Sequence, residues 1–113
     1  MSTDQVVVFA ALADPTRLSI VDLLAQRGEL SAGDIGRVFT SSASAVSQHL
    51  KVLREAGLVL VQKRAQQRIY RLDPATIVAA EQWLAGRTRQ WNSRLDAMET
   101  YIEHLTEGES HAR

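Results

Sequence analysis

The sequence predicts a mainly α-helical chain carrying one small β-hairpin. Three observations carry that reading. Apolar residues recur at three- and four-residue intervals over much of the chain, the spacing of one helix face. Asp14-Pro15, Asp73-Pro74, Gly28 and Gly57 stand where such stretches begin and end, as helix caps and stops do. Between Leu58 and Leu72 the pattern gives way to two short runs of strand-forming residues around a basic, glutamine-rich stretch.

The 113 residues suffice for one modest core and fall short of a second. We expect a single domain over 1–106, including a long helix at about 75–105, and a flexible polar tail at 107–113. No apolar run approaches the roughly twenty residues that span a bilayer, and the N-terminus lacks a basic-then-apolar signal segment. A soluble, cytoplasmic protein is the expectation, with no membrane partner. Cysteine is absent, which excludes disulfides, thiolate metal sites and cysteine redox chemistry.

Val6, Val7, Phe9, Ala10 and Leu12 read as the buried face of a first helix that ends near Asp14. Asp14 caps the next helix and Pro15 fits its first turn. Leu18, Ile20, Val21, Leu23 and Leu24 make that helix strongly apolar, and Gly28 closes it. Ser31-Ala32-Gly33-Asp34 resembles a capping box with Asp in place of Glu. It opens a short helix expected to turn Ile35, Val38 and Phe39 inward. After a polar turn at 40–42, a further helix runs to Ala56 with Val46, Leu50 and Leu53 on its core side, and Gly57 is its left-handed stop. Leu58 to Val61 and Arg68 to Leu72 are the two strands. With no Asn-Gly or Gly-Gly pair between them, the tip at 63–67 should be longer than a two-residue turn.

The long helix that follows Asp73-Pro74 has a seam. Ile77, Glu81, Leu84, Thr88, Trp91, Leu95, Met98, Ile102 and Leu105 alternate spacings of four and three, as in a coiled coil. Trp83 flanks it. The seam is longer than one small domain needs for its own core, so it is expected to carry a homodimer interface.

Formal net charge is zero, but unevenly spread. Residues 1–41 carry a net −2, residues 42–72 a net +5 and residues 73–113 a net −3. A cationic middle between acidic ends suits a protein that presents one edge to double-stranded DNA. Two helices joined by a short polar turn, followed by a hairpin, form a winged helix-turn-helix. The second helix then enters a major groove. Its outer side carries Ser44, Ser47, Gln48, Lys51 and Arg54. Gln48 suits a bidentate contact to adenine, the serines suit bases or phosphates, and the two cations suit phosphates. In the wing Lys63, Arg64, Gln67 and Arg68 suit phosphates or a minor groove. His49, beside Leu50, has two readings: a hydrogen bond at the domain's edge, or DNA.

Taken together, "ALADPTRLSIVDLL" (11–24), "SASAVSQHLKVLREAGLV" (42–59) and "KRAQQRIYRLDP" (63–74) closely resemble the ArsR/SmtB winged-helix repressors. The resemblance covers about residues 5–74 by motif, and the long last helix agrees with the family's dimerising helix. It implies a homodimer on an inverted-repeat operator, with first and last helices forming the interface; Val7, Leu84, Trp91, Leu95, Met98, Ile102 and Leu105 would lie in it. It also implies base contacts from Ser44, Ser47 and Gln48. Arsenic- and cadmium-type members carry a Cys-x-Cys on the third helix, where this chain has Ser31 and Gly33. Zinc-type members carry a fuller set on the last helix, of which His104-x-x-Glu107 is the only echo; Glu107 and His111 also share helical spacing, but in the expected tail. The chain looks more like the family's cysteine-free autorepressor branch.

No metal or other cofactor is expected. An enzyme reading finds no phosphate loop and no nucleophile–base pair, with His49, His104 and His111 far apart. Two rivals to a plain repressor remain. A winged-helix interaction module without a DNA target would show a recognition face poor in positive charge, the opposite of this one. A ligand- or metal-responsive repressor would use a non-cysteine site, and the sequence names no small-molecule effector.

Overall fold

The first helix shows why pattern alone misplaces a buried face. In the computed structural model, which describes the backbone of residues 3–111 and the side chains of 4–108, α1 (Thr3–Leu12) buries Val8 and Ala11. Phe9 and Leu12 are half-buried, while Val6, Val7 and Ala10 are exposed. Our expected face was therefore shifted. Three consecutive valines carry no phase, so the helix is oriented by where the helices Pro15–Arg27 and Ala43–Glu55 meet it rather than by its own periodicity.

α2 (Pro15–Arg27) starts on Asp14, whose carboxylate accepts from the Arg17 amide at 3.0 Å, and stops at Gly28 with φ 87°. Ile20 and Leu24 are fully buried, whereas Leu18 is exposed. Glu29–Ser31 then forms a three-residue strand, β1, which the sequence reading did not foresee. Ser31 ends that strand and also caps α3 (Ala32–Val38), accepting from the Asp34 amide at 3.1 Å. α3 buries Ile35, but Val38 is exposed, contrary to expectation. The helix ends at Val38, and the chain turns extended at Phe39, which is half-buried in its place.

α4 (Ala43–Glu55) is followed by β2 (Val59–Arg64) and β3 (Gln67–Leu72). The three strands form an antiparallel sheet in the order β1-β3-β2, so the hairpin gains a third strand. The tip is also tighter than expected: Arg64 pairs with Gln67, leaving only Ala65 and Gln66 to turn. Ala65 supplies a φ of 53°, the sign that glycine normally provides at the first position of a type II′ turn.

α5 (Pro74–His111) is capped by Asp73, which accepts from the Ala75 amide at 3.1 Å. The chain divides into two compact units after Ala80. In the first, a core of Val8, Ala11, Ile20, Leu24, Ile35, Val46, Leu50, Leu53, Leu58, Val59, Tyr70 and Ala80 joins α1 to α4 and the start of α5 to β2 and β3. The second is the helical stretch from Glu81, where Arg87 stacks over the Trp83 ring at 4.7 Å. The tail placed at 107–113 lies largely outside the described side chains, though helix is assigned through His111.

Candidate nucleic-acid interface

α4 is held at both ends by its own sequence. Ser42 accepts from the Ala45 amide at 3.1 Å, satisfying one orphan donor of the first turn. At the other end Gly57, with φ 80°, donates to the Arg54 carbonyl, and Leu58 donates to the Leu53 carbonyl, both at 3.0 Å. This pair of bonds is a Schellman stop, and it turns the chain straight into β2. With Val46, Leu50 and Leu53 buried, the helix must expose the opposite side. Ser44, Ser47, Gln48, Lys51 and Arg54 are all exposed there.

Strand register sorts the wing residues. Side chains directly opposite one another share a sheet face, and successive ones alternate. Val59 opposes Leu72, Val61 opposes Tyr70, and Lys63 opposes Arg68. This face therefore runs from the core at Val59 and Tyr70 outward to two cations. Arg68 lines a concavity of about 160 Å³ with Ser47, Gln48, Lys51 and Arg54 of α4. The structure thus gathers five of the nine expected DNA-facing residues around one hollow. Lys63 sits directly across from Arg68, and Ser44 lies one turn before Gln48 on α4.

Arg64 and Gln67 oppose each other on the other face of the sheet. There Arg64 is held by Glu29 of β1, with Nη1 2.8 Å from Oε2 and Nη2 donating to Oε1 at 3.1 Å. It also donates to Gln62 at 3.3 Å. The Arg64 hydrogen bond keeps the Glu29 carboxyl below its ordinary range; partial desolvation opposes this, and the charges of Arg64 and Arg71 reinforce it. Glu29 was silent in the sequence because its partner lies 35 positions away.

Among the described residues Lys51, Arg54, Lys63 and Arg68 make no ion pair. Lys63 and Arg68 even stand directly opposite, an arrangement that destabilises a strand pair. Among the described residues these four cations are thus free of ion pairs, and two of them stand opposite each other across the hairpin.

Arg17 was also missed. Its Nε donates to the Ala11 carbonyl at 2.6 Å and Nη2 to Ala10 at 3.4 Å, while Nη1 lies 3.3 Å from His49 Nδ1. Asp14 lies 3.8 Å from the same nitrogen. Its carboxyl is held below its ordinary range, chiefly by the Arg17 amide and further by the charges of His49 and Arg17, against some desolvation. His49 thus follows the first of its two readings, a contact at the domain's edge.

On α5, Leu84, Trp91, Leu95, Met98, Ile102 and Leu105 are 43–61% exposed, and Val7 on α1 is exposed as well. His104 Nδ1 lies 3.9 Å from Glu107, both well exposed, and the His111 side chain lies outside the described residues. Among the described residues no three His, Cys, Asp or Glu cluster as metal ligands would, and no helix is long and apolar enough to cross a membrane.

Comparison with known proteins agrees with this geometry. A helix-turn-helix domain family matches residues 12–62. The HTH-type transcriptional regulator Rv2034 of Mycobacterium tuberculosis is 48% identical over 69 residues, 61% of this chain and 64% of that protein. The transcriptional repressor SdpR of Bacillus subtilis is 35% identical over 77 residues, covering 68% of this chain and 84% of its own. Among solved structures, an ArsR-like transcriptional regulator from Rhodococcus sp. RHA1 superposes with a TM-score of 0.77 at 31% identity, over 86% of this chain and 91% of the other. The match to the Mycobacterium protein therefore takes in a little under two thirds of its length, while the other two are spanned almost whole. The chain belongs to the ArsR/SmtB family of winged helix-turn-helix transcriptional regulators, proteins that act by binding DNA.

Proposed function

We propose that this regulator is a cytoplasmic homodimeric repressor of an inverted-repeat operator, acting by occupying promoter DNA. The observation that carries the reading is the hollow formed by Ser47, Gln48, Lys51, Arg54 and Arg68, with free cations on both helix and wing. α4 lies in the major groove, where Gln48 reads a base edge bidentately and Ser44 and Ser47 contact bases or phosphates. Lys51, Arg54, Lys63 and Arg68 contact phosphates, with Gln67 and Arg64 at the wing's outer side. The seam Leu84, Trp91, Leu95, Met98, Ile102 and Leu105, together with Val7, packs against its copy. The dimer then sets two α4 helices about one DNA turn apart, roughly 34 Å.

A gel shift on the DNA upstream of its own coding region tests this. Affinity is expected to fall steeply between about 50 and 200 mM salt, since each neutralised phosphate adds roughly −0.9 to the log–log slope. Replacing Gln48 by Ala should relax base preference by about 1–3 kcal/mol at one position of each half-site. No salt-sensitive shift at micromolar protein would favour an interaction module instead, and unchanged base preference in Gln48→Ala would remove that residue from the readout.

A further inference from the structure

We propose that Arg17 is a positioning residue for the DNA-reading helix, acting through His49 by a contact that exists only while His49 is neutral with an unprotonated Nδ1. The inference rests on reading α4 as the helix that enters DNA. Arg17 spans three elements at once. Its backbone amide is tied to Asp14 at the start of α2, and its Nε and Nη2 donate to Ala11 and Ala10. Those carbonyls belong to the last turn of α1, where the helix end favours a cation, and that of Ala10 also accepts from the Ala13 amide at 3.2 Å. The remaining nitrogen, Nη1, reaches His49 at 3.3 Å, between outward-facing Gln48 and buried Leu50.

Arginine has donors and no acceptor, so His49 Nδ1 must accept in this contact. That fixes the tautomer with the proton on Nε2. Protonating His49 removes the acceptor and sets two cations about 3.3 Å apart. The same ring nitrogen lies 3.8 Å from the Asp14 carboxylate, which becomes its partner instead. Three side chains therefore have two arrangements, one that ties α4 to the end of α1 through Arg17 and one that does not. Among the described residues no other hydrogen bond or ion pair reaches the His49 ring, and its neighbours one turn away on α4, Ala45, Val46, Val52 and Leu53, are uncharged. Because α1 also carries the exposed Val7 assigned to the dimer, this contact joins the dimerising and DNA-reading parts.

Two measurements on the full-length protein decide it. Nitrogen-15 NMR of the His49 ring near pH 8 is expected to show the Nε2–H tautomer. Selectivity for an operator selected from random sequence, relative to a scrambled duplex, is then compared at about pH 8 and pH 5.5, the range in which imidazoles change charge. The wild type should lose about tenfold in selectivity on acidification, the scale of one charge-assisted hydrogen bond. His49→Asn places an amide oxygen near the Nδ1 position and does not titrate, so it should stay selective at both pH values. Arg17→Gln should be less selective at both, with a flat profile. An Nδ1–H tautomer near pH 8, or a His49→Asn profile as steep as the wild type's, would overturn the proposal even in a protein that binds its operator. Absence of any duplex binding at either pH would overturn the DNA reading along with it, while the ring tautomer would still report on the Arg17 contact.

Discussion

In α4 the apolar residues Val46, Leu50 and Leu53, spaced by four and three, are buried against α1, α2, α3 and β2 of the same chain. In α5 the same spacing recurs at Trp91, Leu95, Met98, Ile102 and Leu105, yet every one of these side chains stands in solvent. Both stretches are helical and both use one apolar edge, so local sequence does not separate them. What differs is whether the chain itself supplies the other half of the contact. An apolar edge of five large residues left bare on a helix that has little reason to hold together alone needs a second surface. In the dimer we propose, a second copy supplies one of matching period.

The largest expected effect breaks the first half of that comparison. Leu53→Ala opens a cavity in a side chain with no solvent exposure and should destabilise the first unit by about 2–5 kcal/mol. Urea unfolding followed by far-ultraviolet circular dichroism should show a lower midpoint at every protein concentration. Leu95→Ala is the next largest and acts differently. In the proposed dimer Leu95 lies mid-seam, and truncating such a central contact is expected to cost about 1 kcal/mol or more, so the dissociation constant should rise by about tenfold in sedimentation equilibrium. The chain's two tryptophans, Trp83 and Trp91, both lie on α5, so their emission reports on this helix. Trp91 emission should shift to the blue as concentration drives association in the wild type, and do so only at higher concentration in the variant. If Leu95→Ala instead lowered the unfolding midpoint independently of concentration, its edge would be satisfied within the chain as that of α4 is.

The same distinction explains what could be read in advance. α4, its buried triplet, the Asp14 cap and the Gly57 stop were legible because each is decided within a few residues. The free cations of the hollow were legible as residue types, since an exposed helix face follows from the buried one. β1 was not: three residues carry no usable alternation, and Glu29, Leu30 and Ser31 become a strand only by pairing with Arg71, Tyr70 and Ile69. The tight tip was hidden because Ala65 adopts a positive φ without being glycine. Val6, Val7 and Val8 could not reveal which of them faces inward. Arg17 and Glu29 find their side-chain partners 32 and 35 positions away, beyond any local rule.

Charge on the wing obeys the logic of the apolar edges. Arg64 and Arg68 lie four residues apart on the two strands of one hairpin. Glu29 satisfies the first, and nothing among the described residues pairs with the second. Arg68→Ala should weaken binding to all duplexes and reduce the salt slope by about 1, the signature of one lost phosphate contact. Arg64→Ala should change the slope less, and should chiefly loosen the β1 edge, and only slightly, as solvent-screened ion pairs do. Titrations of both variants at several salt concentrations would rank them. Equal slopes would mean that DNA recruits Arg64 away from Glu29.

The smallest effect tests whether the Glu29 pair matters as charge. Its carboxyl is held below the ordinary value of 4.5 in the folded chain, first by the Arg64 hydrogen bond. The folded state therefore binds fewer protons there than the unfolded state, and the contribution is complete above the unfolded value. It is lost as pH falls through the lower, folded one. The stability difference between wild type and Glu29→Gln should thus be full near about pH 7 and shrink below about pH 4.5. Asp14, also held low, adds acid sensitivity of the same sign to both proteins, so the difference between them is the quantity to follow in thermal melts. With both partners about half exposed, the shift will be small. A difference that persisted unchanged to about pH 3 would mean that Arg64 is placed by Gln62 and strand register rather than by charge. The two faces of the wing would then differ in geometry alone, and Arg64 would count with Arg68 as a cation available to DNA.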